Sequence, residues 1–285
     1  MKRIFLTLDF EEWTTVEYLQ KYRFRDEPSF CALLEFLPDA LAERNIPATV
    51  FAVGDAAKAH KEVLRKFADI GCPIGLHSMH HERPKTMDAE AFRRDVREGK
   101  ALLEDIVGKP VTGYRAPCFS MDLDKTDVLW EEGFTYDSSY IALARKDLYA
   151  PFDLSSFTKC DSAIYEKNGR YEFEIPTLHL GGRHIPIAGG GYFRLFPPFL
   201  TEALYAKYSK QEDTFLLYLH PYEFVDDAVP QLAACSFKDR MRFQIGRKGN
   251  REKLFRFVTR RRNEGVRFMT MPEYIAERYC ASGTR

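Results

Sequence analysis

The sequence predicts an α/β protein organised around a parallel sheet. Short apolar runs alternate with longer amphipathic stretches through residues 1–140, and strands separated by helices of about ten or more residues pair in parallel. The chain is 285 residues long, an ordinary length for one α/β barrel. Its 45% hydrophobic content, with 23 Phe and 15 Tyr, supplies a core large enough to fold without covalent staples. One domain is expected over residues 1–285, with a core at 4–223 and a C-terminal completion at 224–285.

The elements follow in order. Residues 3–8 (RIFLTL) read as a buried strand ending at a cluster of carboxylates. Residues 30–44 set Leu33, Leu34, Leu37 and Leu41 at helical spacing and stop before Pro47. A strand at 48–53 is closed by Gly54, and 58–70 aligns Val63, Leu64, Phe67 and Ile70 on one helical stripe. A short strand at 73–76 precedes a helix at 88–107, whose Phe92, Val96, Leu102, Leu103 and Ile106 face inward and whose end is marked by Gly108-Lys109-Pro110. The beat continues with strand 111–115, helix 126–132 and strand 134–136.

After this the rhythm changes. Alternating runs at 163–166 and 170–175 flank Asn168-Gly169, which predicts a β-hairpin. Residues 198–208 read as a helix opened by proline, 214–220 as an apolar strand ending in histidine, and 251–262 as a basic amphipathic helix. A last strand and helix are expected at 266–270 and 272–279. The polar stretch 226–249 is expected to be irregular.

Charge narrows the function. Lys and Arg total 42 and so do Asp and Glu, which removes the positive field a nucleic-acid binder relies on. No apolar run approaches the roughly 18 residues of a transmembrane span. Residues 1–13 meet Asp9, Glu11 and Glu12 at once, unlike a secretory signal, so a cytoplasmic location is expected. The six cysteines show no CxxC spacing and are expected to stay reduced.

Five motifs carry chemistry. His77 and His81, directly after a strand, are spaced i and i+4, so a helical turn would bring both to one metal ion; His80 is offset from that face. Asp9 and Glu11 share a face at the end of the first strand, where repulsion calls for a cation or an arginine. Two histidines and one carboxylate with open positions are the arrangement of a catalytic metal. Arg115, in Arg115-Ala116-Pro117-Cys118, closes another strand and offers a fixed cation for a carboxylate base. His220, in Leu219-His220-Pro221, ends the apolar strand, and Asp137, followed by Ser138-Ser139, offers a carboxylate to hold its imidazole. Gly189-Gly190-Gly191 is either a turn that closes the barrel or a device that brings Tyr192 and Arg194 over the cleft.

Taken in chain order, an acidic strand end, HxxxH, RxP, Asp-Ser and Leu-His-Pro resemble the polysaccharide deacetylases, the NodB-homology or carbohydrate esterase family four domain, over residues 4–223. Finer features resemble a bacterial subgroup linked to exopolysaccharide and surface-glycan synthesis: Asp9-Phe10-Glu11-Glu12-Trp13, Arg115-Ala116-Pro117, Tyr136-Asp137-Ser138-Ser139 and 188–194. The resemblance implies a distorted (β/α) barrel, with the predicted hairpin added, and a site at the strands' C-terminal ends. It further implies Asp9 as general base, Arg115 as its orienting cation, His220 as general acid held by Asp137, and Glu11, His77 and His81 as metal ligands. Zn²⁺ is the expected ion, with Co²⁺ or Ni²⁺ as alternatives. Cys118, through its backbone N–H, and Tyr192 and Arg194 would bind substrate. The family's second acidic position is usually Asp; here it is Glu11 with Glu12 beside it, and either could be the ligand. Cys118 stands where a tyrosine is usual; a reactive thiol there has no adjacent base in sequence.

The implied reaction removes an N-acyl group, foremost acetyl, from an amino sugar in a glycan, nucleotide-sugar or lipid-linked precursor. The alternatives are a cyclic amide or ureide hydrolase of the allantoinase kind on the same fold, and a carbohydrate binder with an impaired centre.

Overall fold

A computed structural model describes residues 1–22, 24, 28–143, 152–226 and 232–282. In chain order its strands are β1 (Arg3–Phe10), β2 (Ala48–Ala52), β3 (Ile74–Leu76), β4 (Gly113–Tyr114), β5 (Tyr136–Asp137) and β6 (Thr158–Asp161). There follow β7 (Ile164–Lys167), β8 (Arg170–Phe173), β9 (Thr177–Leu180), β10 (Arg183–Pro186), β11 (Thr214–Leu219) and β12 (Arg267–Phe268). Strands β11, β1, β2, β3, β4, β5 and β8 lie side by side in that order, all parallel. Beyond β8 the sheet continues antiparallel through β7 and β6. β12 pairs with β1 at Arg3 and Ile4, and β2 takes β1 up from Leu6 onward. The sheet curls into a half-barrel, the distorted (β/α) architecture that was expected.

Why β1 is buried between its neighbours is visible in its sequence. Ile4, Leu6, Leu8 and Phe10 pack into one core cluster, while Phe5 enters a second with Phe173 and Tyr274. Both faces are thus covered, and such strands read as continuous apolar runs. Fully burying each side chain of this kind contributes roughly 1.5–3 kcal/mol. The helix Ala89–Val107 presents Phe92, Val96, Leu103 and Ile106 to the sheet. Asp88 caps its start by accepting from Ala91 N at 2.7 Å, and Gly108, at φ 64°, ends it.

Several boundaries differ from expectation. The helix expected at 30–44 is a 3-10 turn, Ala32–Phe36, leading into Leu37–Glu43. That at 58–70 breaks at His60, whose φ of −129° separates Gly54–Ala59 from Lys61–Asp69. The hairpin around Asn168-Gly169 forms as β7–β8, with φ of 53° and 75° at its turn. Strand β6 and the pair β9–β10 were not anticipated, because their polar, half-exposed residues carry a weak alternation signal. Within 226–249, Ser236 caps a helix, Phe237–Gln244, that buries Phe243 against Trp13 and Phe30. This corrects the irregular stretch expected there; residues 227–231 lie outside the described ones.

Parallel order has one functional consequence. The C-terminal ends of β1, β3, β4, β5 and β11 meet on one rim, and every motif identified at a strand end is carried there.

Candidate active site

On that rim lies a cleft of about 360 Å³, lined by Asp9, Glu11, His77, His81, Cys118, Tyr192 and His220 among others. At its floor Glu11, His77 and His81 each offer a ligand atom within 4.8 Å of the others. The two imidazole rings are 5.3 Å apart, but no helical turn brings them together. The loop instead takes left-handed backbone at Ser78 (φ 66°) and His81 (φ 56°). Buried Asp95, on the helix Ala89–Val107, holds this loop by accepting from Met79 N at 3.0 Å and Ser78 Oγ at 3.1 Å. Burial outweighs these hydrogen bonds and raises the Asp95 pKa to about 6.

The donor set fits a divalent cation. His77 Nδ1 donates to the Arg115 carbonyl at 2.7 Å, which leaves Nε2 deprotonated as a ligand. Burial, opposed by Asp9 and Glu11, brings the His77 pKa down to about 4, so the ring is neutral. His81 Nε2 is 2.6 Å from Glu11 Oε2, and its buried Nδ1 has no hydrogen-bond partner among the described residues. Burial opposes charge on both groups, yet Glu11 raises the His81 pKa, and His81, with His220 and His77, holds Glu11 well below the usual carboxylate range. Glu12 turns elsewhere, toward His60 (3.2 Å) and Phe30 N (3.1 Å), so of the two glutamates only Glu11 lies beside the two histidines. His80 faces Asp55 at 3.0 Å, away from the cluster.

Arg115 is fully buried and spends its donors as the motif suggests. Nη1 meets Asp9 Oδ1 at 2.6 Å and Thr7 Oγ1 at 2.8 Å; Nε and Nη2 meet Ser138 O and Oγ at 3.2 and 3.0 Å. Asp9 Oδ2 lies 4.0 Å from His220 Nε2, so a fixed carboxylate and an imidazole face the same space. Burial opposes charge on His220, but Glu223, then Glu11 and Asp9, push its pKa up to about 9.

Two assignments need correction. Asp137 does not hold His220. Its Oδ1 accepts from Ser138 N (2.8 Å) and Ser139 Oγ (2.6 Å), and it sits opposite Glu172, because β5 neighbours β8 and not β11. The group behind His220 is Glu223, whose Oε2 lies 3.3 Å from His220 Nδ1 and accepts from His220 N at 3.0 Å. The signal was available: an acid three residues after the residue that opens a turn is a capping box. Arg194 lines the cleft, but its guanidinium is committed to Glu223 (3.4 Å) and to the carbonyls of Arg242 and Phe243, so it is not a free substrate donor. Tyr192 and Cys118 do line the cleft, joined by Tyr18, Phe119, Tyr218 and Tyr222, which the sequence had not singled out. Burial, then Glu11 and Glu17, pushes the Cys118 thiol up to about 12, which excludes a thiolate nucleophile.

Fold and cleft together define a curled-barrel protein with an acidic, histidine-rich centre at its strand ends. Residues 32–136 match the polysaccharide deacetylase family, and 138–276 match a family described as a domain of unknown function, DUF3473. The chain carries a polysaccharide deacetylase domain. A peptidoglycan deacetylase of Helicobacter pylori is 32% identical over 127 residues, 44% of this chain and 42% of that protein. The chain spans less than half the length of the curated relatives it matches. A probable polysaccharide deacetylase from Pseudomonas aeruginosa PAO1 superposes with a TM-score of 0.57 at 18% identity, covering 99% of this chain and 92% of that one. PuuE allantoinase superposes at 0.59, also at 18% identity, covering 99% and 91%. At such identities the likeness establishes the fold.

Proposed function

We propose that the protein hydrolyses the N-acyl group, foremost acetyl, of an amino sugar in a glycan or glycan precursor, with a divalent metal held by Glu11, His77 and His81. One observation carries the reading: a carboxylate fixed by Arg115 and an imidazole fixed by Glu223 come within 4.0 Å of each other beside the Glu11–His77–His81 cluster. The metal, when bound, supplies Lewis acidity that acidifies water and draws electron density from the acyl oxygen. Asp9 takes a proton from the attacking water, and Arg115 keeps its carboxylate aimed. The Cys118 backbone N–H serves the acyl oxygen. His220 gives its Nε2 proton to the sugar nitrogen as the C–N bond breaks, releasing the acid and a free amine. Tyr192, Tyr218 and Tyr222 offer ring faces to a sugar.

The test is acetate release from N-acetylated amino sugars with Zn²⁺ or Co²⁺, beside metal analysis of variants. His220→Ala is expected to keep its metal and lose about 10²–10⁴-fold in turnover. His77→Ala is expected to lose both. Ring opening of a cyclic ureide without acetate release would overturn the reading, as would full metal loading of His77→Ala.

A further inference from the structure

Behind His220 lies a buried chain of charges, of which the reaction as written draws only on the contact with Glu223. Glu223 is fully buried, and its Oε2 accepts from both the backbone N–H and the Nδ1–H of His220. Its other oxygen, Oε1, accepts from Arg194 Nε at 3.4 Å. Arg194 is itself nearly buried, and Nη1 donates to the carbonyls of Arg242 (3.2 Å), Phe243 (3.0 Å) and Ile245. The Tyr222 ring stacks on His220, with centroids 5.5 Å apart and planes 18° apart, and Phe243 stacks on Tyr222 in turn. Space for the carboxylate is reserved by Gly190, where a Cβ would stand 1.6 Å from Glu223 Oε2.

Such a placement is expensive without compensation. A carboxylate taken wholly out of water costs several kcal/mol unless a cation and hydrogen bonds satisfy it. Here the cation is supplied by one segment, and the carbonyls that hold the cation by another. The arrangement fixes one tautomer: a carboxylate only accepts, so the Nδ1 proton points to Glu223 and Nε2 points into the cleft. The stacked Tyr222 ring fixes the imidazole plane.

We propose that Glu223 and Arg194 are positioning residues for His220, an Arg194–Glu223–His220 chain that holds Nε2 toward the scissile nitrogen. The inference rests on the reading of His220 as general acid. Its effect is felt where the leaving group needs a proton, and is absent where it does not. The experiment therefore compares two acetyl donors in the full-length, metal-loaded protein: N-acetylglucosamine tetramer, whose amine leaves only when protonated, and 4-nitrophenyl acetate, whose phenolate leaves unaided.

Glu223→Ala is expected to lower kcat on the amide by at least about 10²-fold with KM little changed, while the ester rate stays within a few-fold and metal content is unchanged. Glu223→Gln, nearly isosteric and still able to accept from Nδ1–H, is expected to recover part of the amide rate; it also serves should the alanine variant fail to fold. Arg194→Met, which leaves Glu223 without its cation, is expected to show the same selective loss. An unchanged amide rate in folded Glu223→Ala and Glu223→Gln, or an equal fall on both donors, overturns the proposal. His220→Ala separates the two levels. If it shows the amide-selective loss and Glu223→Ala does not, only the positioning chain falls; if it shows none, or if the wild type releases no acetate from the amide, the general-acid reading falls with it.

Discussion

Single residues decide what surrounds each buried carboxylate in this protein. Asp9 and Glu11 face cations and imidazoles, whereas Asp137 and Glu172 face each other in a fully buried pocket. Burial first, then the neighbouring Asp137, raises the Glu172 pKa well above the usual range, so Glu172 is the protonated partner. Its Oε1 accepts from Ser139 N at 2.9 Å and Tyr140 N at 2.8 Å, which anchors the turn supporting Ser138 and hence Arg115. A carboxyl whose folded pKa exceeds its unfolded one binds more protons in the native state. Its contribution is therefore complete below the unfolded value and declines as pH rises toward the folded one. Glu172→Gln, which carries a permanent donor, is expected to flatten that decline; urea midpoints at pH 5, 7 and 9 measure it. An equally steep loss in both proteins would count against the protonated assignment. The pairing was not legible beforehand for a definite reason. A strand-end residue can be read from periodicity, which is why Asp9, Glu11, His77, Arg115 and His220 were identified. Which neighbour Asp137 meets depends on β5 lying beside β8, and strand order leaves no mark in local sequence.

Elements place these residues, and their reach is tested at the 77–82 loop. The spacing of His77 and His81 suggested a helical turn, yet the loop reaches the same end with left-handed residues pinned by Asp95. Asp95 lies on the buried face of the helix Ala89–Val107, whose caps and apolar periodicity made it the easiest element to read. Asp95→Ala orphans the Met79 N–H and the Ser78 hydroxyl, at a cost of about 1–3 kcal/mol for each buried group. Zinc affinity is expected to fall together with stability, because the loop carries two of the three ligand atoms. Asp95→Asn keeps an acceptor and is expected to lose less of both. Calorimetric zinc titration beside urea unfolding tests the coupling; weakened folding with undiminished zinc affinity would break it. Elements with little periodicity were harder to foresee. The helix Phe237–Gln244 turns chiefly Phe243 inward, too little for an amphipathic stripe, yet the carbonyls of its last turn hold Arg194.

At the scale of the molecule, the candidate centre draws on the whole chain. Glu11 follows β1, His77 and His81 follow β3, and His220 follows β11, so residues matching the deacetylase family at 32–136 contribute only part of it. Of the three ligand residues an unfolded chain keeps only His77 and His81 close together, so a cation at Glu11, His77 and His81 favours the native state. Linkage then fixes the size of the effect: zinc at 100 times its dissociation constant adds about 2.7 kcal/mol to unfolding. The pH dependence has a definite sign. A ligating imidazole must be neutral, and Glu11 raises the pKa of His81 in the metal-free protein, so protons compete with the metal increasingly as pH falls. The zinc-induced rise in thermal midpoint is therefore expected to be several degrees at pH 8 and to shrink steadily toward pH 5. His81→Ala and His77→Ala are expected to show little rise at either pH, and a chelator to reverse it in the wild type. A zinc response independent of pH, or one that survives His77→Ala, would mean that the stabilising ion sits elsewhere.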